Sequence, residues 1–264
     1  MSHPKKKWGQ HFLRNASAVE KIAGALEPSN GEIVVEIGPG EGVLTQSLID
    51  LGHPTVAIEI DPDLAAKLQQ RFGEKLEVRN EDAVEAALPD RPFRAVGTLP
   101  YNTGTPILRR VIADPNCRRA VFMLQREVAD RLVAAPGSDP YGFLTLYRAL
   151  YADAKILLKL GPKSFYPKPK VDSAVVVLDP KERDYESDPG ALLELISTSF
   201  RMRRKKLVNN LIGWRDLERA EILAAMSAAG IDPDARAETL ALLDFDRLGT
   251  VLGARPDFRT ARRN

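Results

Sequence analysis

Between Ile33 and Leu178, short runs rich in β-branched residues alternate with stretches of helical periodicity, and few architectures accommodate that alternation. Seven runs read as strands: Ile33–Ile37, Thr55–Ile60, Leu76–Arg79, Ala95–Thr98, Ala120–Leu124, Ala154–Leu158 and Ala174–Leu178. Helical stretches such as Val43–Leu51 and Pro62–Phe72 separate the early ones, and Pro62 suits a first helical position. Ahead of the first strand, Val19, Ile22, Ala23 and Leu26 share one helical face. Strand–helix–strand units of this kind predict an α/β fold, Rossmann-like, with a mostly parallel seven-stranded sheet.

The strand pattern stops near Leu178. Residues 179–190 are polar and rich in turn formers, which marks a linker. Beyond it the periodicity is helical: Leu192, Leu195, Ile196 and Ser199 share a face, as do Leu207, Leu211 and Ile212, and then Leu223, Met226 and Ala229. The expected division is therefore 1–184 for the α/β domain and 185–264 for a small all-helical domain. A length of 264 residues, 44% of them hydrophobic and 28% charged, supports both.

No apolar run approaches the roughly 18 residues that span a bilayer. The basic start, Lys5, Lys6 and Lys7, is not followed by an apolar signal region, so a cytoplasmic protein is expected. Cys117 is the only cysteine, which excludes an internal disulfide; it follows Pro115 and Asn116 and is expected in a turn. His3, His11 and His53 lack metal-ligand spacing, so no metal is expected. Net charge is only +2, but from residue 201 onward 13 Lys and Arg face 9 Asp and Glu. Such local excess can hold phosphates, or it can be a solvated helix face.

Glu36-x-Gly38-x-Gly40-x-Gly42 follows the first strong strand and precedes a helix. A tight turn there needs unusual backbone angles and room for a ligand against the backbone. Glu59 ends the second strand 21 residues beyond Gly38, an offset at which an acid binds ribose hydroxyls in nucleotide-binding folds. Asp82, after the third strand, can accept from an adenine amino group at the same sheet edge. A nicotinamide cofactor fits less well, because its third fingerprint glycine falls where Val43 stands.

Thr98-Leu99-Pro100-Tyr101 ends the fourth strand. An exocyclic amine on a nucleobase is a poor nucleophile, because its lone pair is delocalised into the ring. Hydrogen bonds from that amine to a side-chain oxygen and a backbone carbonyl favour a more tetrahedral nitrogen. Pro100 would stiffen the turn, and Tyr101 would stack on a flipped-out base. Catalysis would then come mainly from orientation.

These segments resemble the rRNA adenine N6,N6-dimethyltransferases of the KsgA/RsmA family, nearly end to end. Gly9-Gln10-His11-Phe12-Leu13 is similar to the family's N-terminal cofactor motif. Glu36–Thr45, Glu59-Ile60-Asp61 and Glu81-Asp82-Ala83 match its other cofactor motifs. Phe165–Ser173 matches its later substrate motif, where Phe165 would stack the target adenine opposite Tyr101 and Lys170 would reach a phosphate. The resemblance implies a class I methyltransferase that uses S-adenosylmethionine. Gln10, His11, Leu13, Glu36, Gly38, Gly40, Glu59, Ile60, Asp82, Ala83 and Thr98 are the cofactor residues it implies. It also implies that Thr98, Leu99, Pro100, Tyr101 and Phe165 are catalytic, with Arg201, Arg203, Arg204, Lys205 and Lys206 on RNA. His11 is expected to pack or to bond to backbone. Asp172 and Ser173 are expected to shape their loop. The implied substrate is two adjacent adenosines in the 3′-terminal hairpin of 16S rRNA, in assembling 30S subunits, methylated by a monomer.

Thr98 departs from the family pattern, which has Asn there. A threonine hydroxyl also accepts a hydrogen bond, but it is shorter than an asparagine amide. The competing readings are an RNA-binding assembly factor with little activity and an adenine methyltransferase acting on 23S rRNA.

Overall fold

The computed structural model describes residues 5, 10–29, 31–100 and 103–253. The chain forms two compact units, Met1–Ala129 with Ala152–Lys181, and Asp130–Tyr151 with Glu182–Asn264.

The first unit runs β1 (Phe12–Leu13), α1 (Ala16–Gly24), β2 (Ile33–Ile37), α2 (Val43–Asp50), β3 (Thr55–Ile58), α3 (Pro62–Phe72), β4 (Glu77–Arg79), β5 (Phe93–Thr98), α4 (Gly104–Ile112), β6 (Cys117–Gln125), β7 (Ala152–Leu160), β8 (Phe165–Tyr166) and β9 (Ser173–Pro180). Seven strands form one sheet in the order β4-β3-β2-β5-β6-β9-β7. β2 to β6 pair in parallel and β9 runs antiparallel to both neighbours. β2 lies between β3 and β5, so the strand order reverses there and opens a crevice at the strand ends.

Local chemistry sets the helix starts. Asn15 accepts from the Ala18 N–H at 3.0 Å and caps α1. Asp61 accepts from the Asp63 N–H at 3.1 Å and caps α3, whose first residue is Pro62. Val19, Ile22, Ala23 and Leu26 are buried against Val34, Val96, Val121 and Val175 on one face of the sheet. Cys117 is not in a turn but opens β6, where it is buried; burial pushes its thiol up to about 12 and leaves it inert.

The second unit begins within α5 (Arg126–Leu132) and holds α6 (Phe143–Tyr151), α7 (Pro189–Ser199), α8 (Leu207–Leu211), α9 (Arg219–Ala228) and α10 (Leu242–Val251). Its core includes Leu146, Leu150, Leu192, Leu195, Ile196, Leu207, Leu211, Met226 and Phe245. The sequence division at 184/185 therefore differs from the structure by one inserted segment and by three residues at the boundary, which falls between Lys181 and Glu182. Asp130–Tyr151 joins the helical unit because Tyr141, Leu146 and Leu150 are buried in that core. The expected linker is also anchored: Asp246 accepts the Glu186 N–H at 3.0 Å and the Ser187 N–H at 2.8 Å. Ile212 lies just past α8 and is exposed, so it does not share the buried face of Leu207 and Leu211.

Candidate functional site

The crevice at the sheet's reversal point holds a cavity of about 220 Å³. Its floor is the turn after β2. Gly38, Gly40 and Gly42 all have positive φ there, a conformation that glycine adopts without a side-chain penalty. A methyl group on Gly40 would meet the Phe12 ring at 2.9 Å, so Phe12 of β1 lies directly over the turn. Where β5 passes β2 the backbones are closer still. A methyl group at Gly97 would sit 2.1 Å from the Ile37 carbonyl oxygen.

Glu59 follows β3 and is 4% exposed. Its carboxylate accepts from the Gly40 N–H at 3.1 Å and the Asp61 N–H at 2.9 Å, which locks the turn to the end of β3. Burial raises its pKa, against the pull of those two hydrogen bonds. Asn80 donates to the Glu59 carbonyl at 2.7 Å and ties in the end of β4. Asp61 binds the segment ahead of β1: Lys5 Nζ donates to it at 2.6 Å and Gln10 Nε2 at 2.8 Å. Burial alone would raise the Asp61 pKa, but these partners outweigh it and hold the carboxyl below its ordinary range.

Thr98 and Pro100 form the opposite wall. The Leu99 N–H donates to the Met123 carbonyl at 3.0 Å, and the Gly104 N–H donates to the Pro100 carbonyl at 2.7 Å. These bonds hold Leu99 and Pro100 at the end of β5 and Gly104 at the start of α4. Among the described residues the Thr98 side chain makes no hydrogen bond, and it lines the cavity. Tyr101 lies outside the described residues. β1 and β8 pair antiparallel, Phe12 opposite Tyr166 and Leu13 opposite Phe165. That pairing brings Phe165 to the cavity wall.

Of the expected site residues, Gln10, His11, Gly38, Gly40, Glu59, Ile60, Asp82, Ala83, Thr98, Leu99, Pro100 and Phe165 line one cavity. Two expected cofactor residues do not. Leu13 packs into the core of the sheet face, because its neighbour Phe12 takes the cavity side. Glu36 is 1% exposed and accepts the Thr45 hydroxyl at 2.6 Å, so it braces the turn from behind. Burial raises its carboxyl to about 7. His11 bonds to backbone as expected, its Nδ1 lying 2.7 Å from the Pro167 carbonyl. Ser173, expected only to shape its loop, is on the cavity wall at the start of β9, while Asp172 pairs with Arg126 at 3.6 Å.

Sequence reasoning missed Phe12, Ile37, Ile58, Leu64, Thr103, Ile107 and Met123. Apart from Thr103, which precedes α4, they are apolar residues of regular elements, and nothing in their local spacing separates a cavity wall from a core. The basic segment from Arg201 to Lys206 is exposed throughout. Within it Arg203 pairs with Glu238 at 2.9 Å and Lys206 pairs with Asp234.

The donor set fits a nucleoside cofactor. Buried Glu59 can accept from a ribose diol, exposed Asp82 can accept from a purine amine, and Ile60 and Ile107 supply apolar surface for the ring. Among the described residues no group of three His, Cys, Asp or Glu could hold a metal, and no helix is long and apolar enough to cross a membrane. The sheet order, the glycine turn and the acid after β3 define a class I methyltransferase.

A family model described as ribosomal RNA adenine dimethylase matches residues 1–252, and the chain belongs to that family. A relative in Methylococcus capsulatus, ribosomal RNA small subunit methyltransferase A, is 42% identical over 259 residues, covering 94% of this chain and 98% of that protein. A protein of the same name from Synechococcus is 38% identical over 264 residues, covering 96% and 94%. The crystal structure of a dimethyladenosine transferase from Plasmodium falciparum superposes with a TM-score of 0.81 at 25% identity, over 92% of this chain and 97% of that one. That of the 23S rRNA methyltransferase ErmE does so at 0.72 and 27% identity, over 92% and 99%. The chain is thus an S-adenosylmethionine-dependent rRNA methyltransferase.

Proposed function

We propose that this chain methylates N6 of two adjacent adenosines in the 3′-terminal hairpin of 16S rRNA, on assembling small subunits in the cytoplasm, as a monomer. The observation that carries this reading is the Thr98 hydroxyl. It makes no hydrogen bond among the described residues and faces a cavity whose far side carries Glu59 and Asp82. The names of the relatives at 42% and 38% identity support the choice of the small subunit.

S-adenosylmethionine, when bound, supplies an electrophilic methyl carbon. Glu59 holds the ribose hydroxyls, Asp82 accepts from the adenine amine, and Gly38 and Gly40 allow close backbone approach. Gln10 and His11 cover the remaining end. Thr98 and a backbone carbonyl of the turn accept from the target amine, so its lone pair turns out of the ring plane. Phe165 offers the stacking face. No general base is needed, because the cation formed when the amine nitrogen takes the methyl group is acidic enough to release its proton to water. Positioning is the main contribution. Lys170 and the Arg201–Lys206 segment contact RNA phosphates.

The test uses 30S subunits from a strain lacking this methylation, purified protein and labelled S-adenosylmethionine, with mass spectrometry of the rRNA. Dimethyladenosine near the 3′ end of 16S rRNA is the expected product. Failure of transfer with 30S binding intact would instead identify an assembly factor, the alternative that the Thr98 departure motivates. The likeness to ErmE over 92% of the chain makes 50S subunits the necessary parallel substrate.

A further inference from the structure

Tyr166 is 54% exposed, the most exposed aromatic side chain among the described residues. It directly follows Phe165, which is 4% exposed. Successive strand residues point to opposite faces, and β8 separates the two rings in this way. Tyr166 stands opposite Phe12 in the β1–β8 pair, so the two side chains rise on the same face. Phe12 lines the cavity. Tyr166 itself does not line the cavity; its exposed ring stands at the surface one residue beyond Phe165, which does.

The surroundings are those of a nucleotide platform. Lys168 and Lys170 follow the ring along the loop and are both exposed. Among the described residues neither ammonium group, nor the Tyr166 hydroxyl, makes a hydrogen bond or ion pair. The loop is held from both ends. The His11 ring bonds to the Pro167 carbonyl at 2.7 Å, and the Arg126 N–H bonds to the Asp172 carbonyl at 3.0 Å. Pro169 is buried beneath it. An exposed ring on a fixed loop loses little freedom when a base stacks on it, and the two cations that follow it along the loop can answer backbone phosphates.

We propose that Tyr166, with Lys168 and Lys170, forms a second base-binding subsite that stacks the unpaired nucleobase next to the target while the target occupies the cavity. The inference rests on the proposed function, since it needs a single-stranded or flipped RNA segment at the cavity mouth. It assigns the two consecutive aromatics different tasks. Phe165 serves the reacting base. Tyr166 holds its neighbour and so fixes which of two adjacent adenosines enters first.

Aromatic–base stacking is strong enough to read directly, and loss of one such contact weakens binding by roughly five- to hundredfold. The experiment compares wild type, Tyr166→Ala, Tyr166→Trp and Lys168→Ala/Lys170→Ala. For each, 30S affinity without cofactor, KM and kcat on 30S, cofactor affinity and the ratio of products at the two adenosines are measured. Tyr166→Ala is expected to weaken 30S binding and change that ratio, with cofactor affinity and melting temperature unchanged. Tyr166→Trp restores both. The double lysine variant lowers the slope of log affinity against log salt by about one to two. Unchanged 30S affinity and product ratio in Tyr166→Ala would overturn the subsite while wild-type methylation left the function standing. Absence of 30S methylation by the wild type would remove the functional reading itself.

Discussion

The Thr45 hydroxyl donates to Glu36 Oε2 at 2.6 Å, and neither side chain reaches solvent. The bond joins the end of strand β2 to the first turn of α2 directly behind the glycine loop. It is a brace for the loop, made by a carboxyl whose burial raises its pKa to about 7.

Stability follows from that shift with a definite sign. The folded pKa exceeds the unfolded one, so the native state binds the extra proton between about pH 4.5 and 7. Stability is fully present below that window and falls as pH rises through it, by roughly 3 kcal/mol in the limit. Glu36→Gln keeps an acceptor for Thr45 and removes the titration. Urea unfolding at pH 5 and pH 7.5 should show the wild type losing more stability between the two than the variant. Equal losses would show that Glu36 does not titrate in this range.

Gly97→Ala puts a methyl group 2.1 Å from the Ile37 carbonyl, an overlap that only strand displacement can relieve. A loss of more than about 3 kcal/mol is expected from overpacking backbone against backbone. Chemical denaturation measures it. The neighbouring Thr98 would move with the strand, so the turnover of any folded fraction should fall as well.

Thr98→Ala removes the side-chain oxygen at the cavity wall. One well-oriented hydrogen bond is worth about 1–2 kcal/mol, so kcat on 30S subunits should drop about five- to thirtyfold. Thr98→Asn supplies a longer planar acceptor and should match or exceed the wild type. A Thr98→Ala enzyme with undiminished kcat would mean that the backbone carbonyl alone orients the amine.

Asp61 serves two elements at once, capping α3 through the Asp63 N–H and holding Lys5 and Gln10. Asparagine is also a good cap, so Asp61→Asn should keep thermal stability while loosening the N-terminal segment over the cavity. Asp61→Ala should cost about 1 kcal/mol of stability as well. Cofactor affinity by calorimetry should weaken severalfold in both, and unfolding curves should separate them.

Much of the α/β unit was legible locally. The strand through Ile33–Ile37, the glycine turn, the helix opened by Pro62 and the acid at Glu59 all lie where their patterns place them, because each is set by neighbours a few residues away. The motifs identify the family without any tertiary contact. Motifs alone did not show that the Glu36 and Leu13 side chains lie behind the cavity wall. A motif records which residues recur together, not which of them faces the ligand and which braces the loop.

The sequence by itself determined the alternation of strands and helices, the mostly parallel sheet and the chemistry gathered at its strand ends, since periodicity and turn residues act over short range. Only the tertiary structure decided the rest. β1 and β8 are two residues each, too short to carry a period, and exist because Phe12 and Leu13 meet Tyr166 and Phe165 from more than 150 residues away. Asp130–Tyr151 joins the helical unit because the apolar partners of Tyr141 and Leu146 lie beyond residue 185. The cavity itself is a product of such long-range pairing, in which burial is settled by what packs against a side chain and not by its place in the chain.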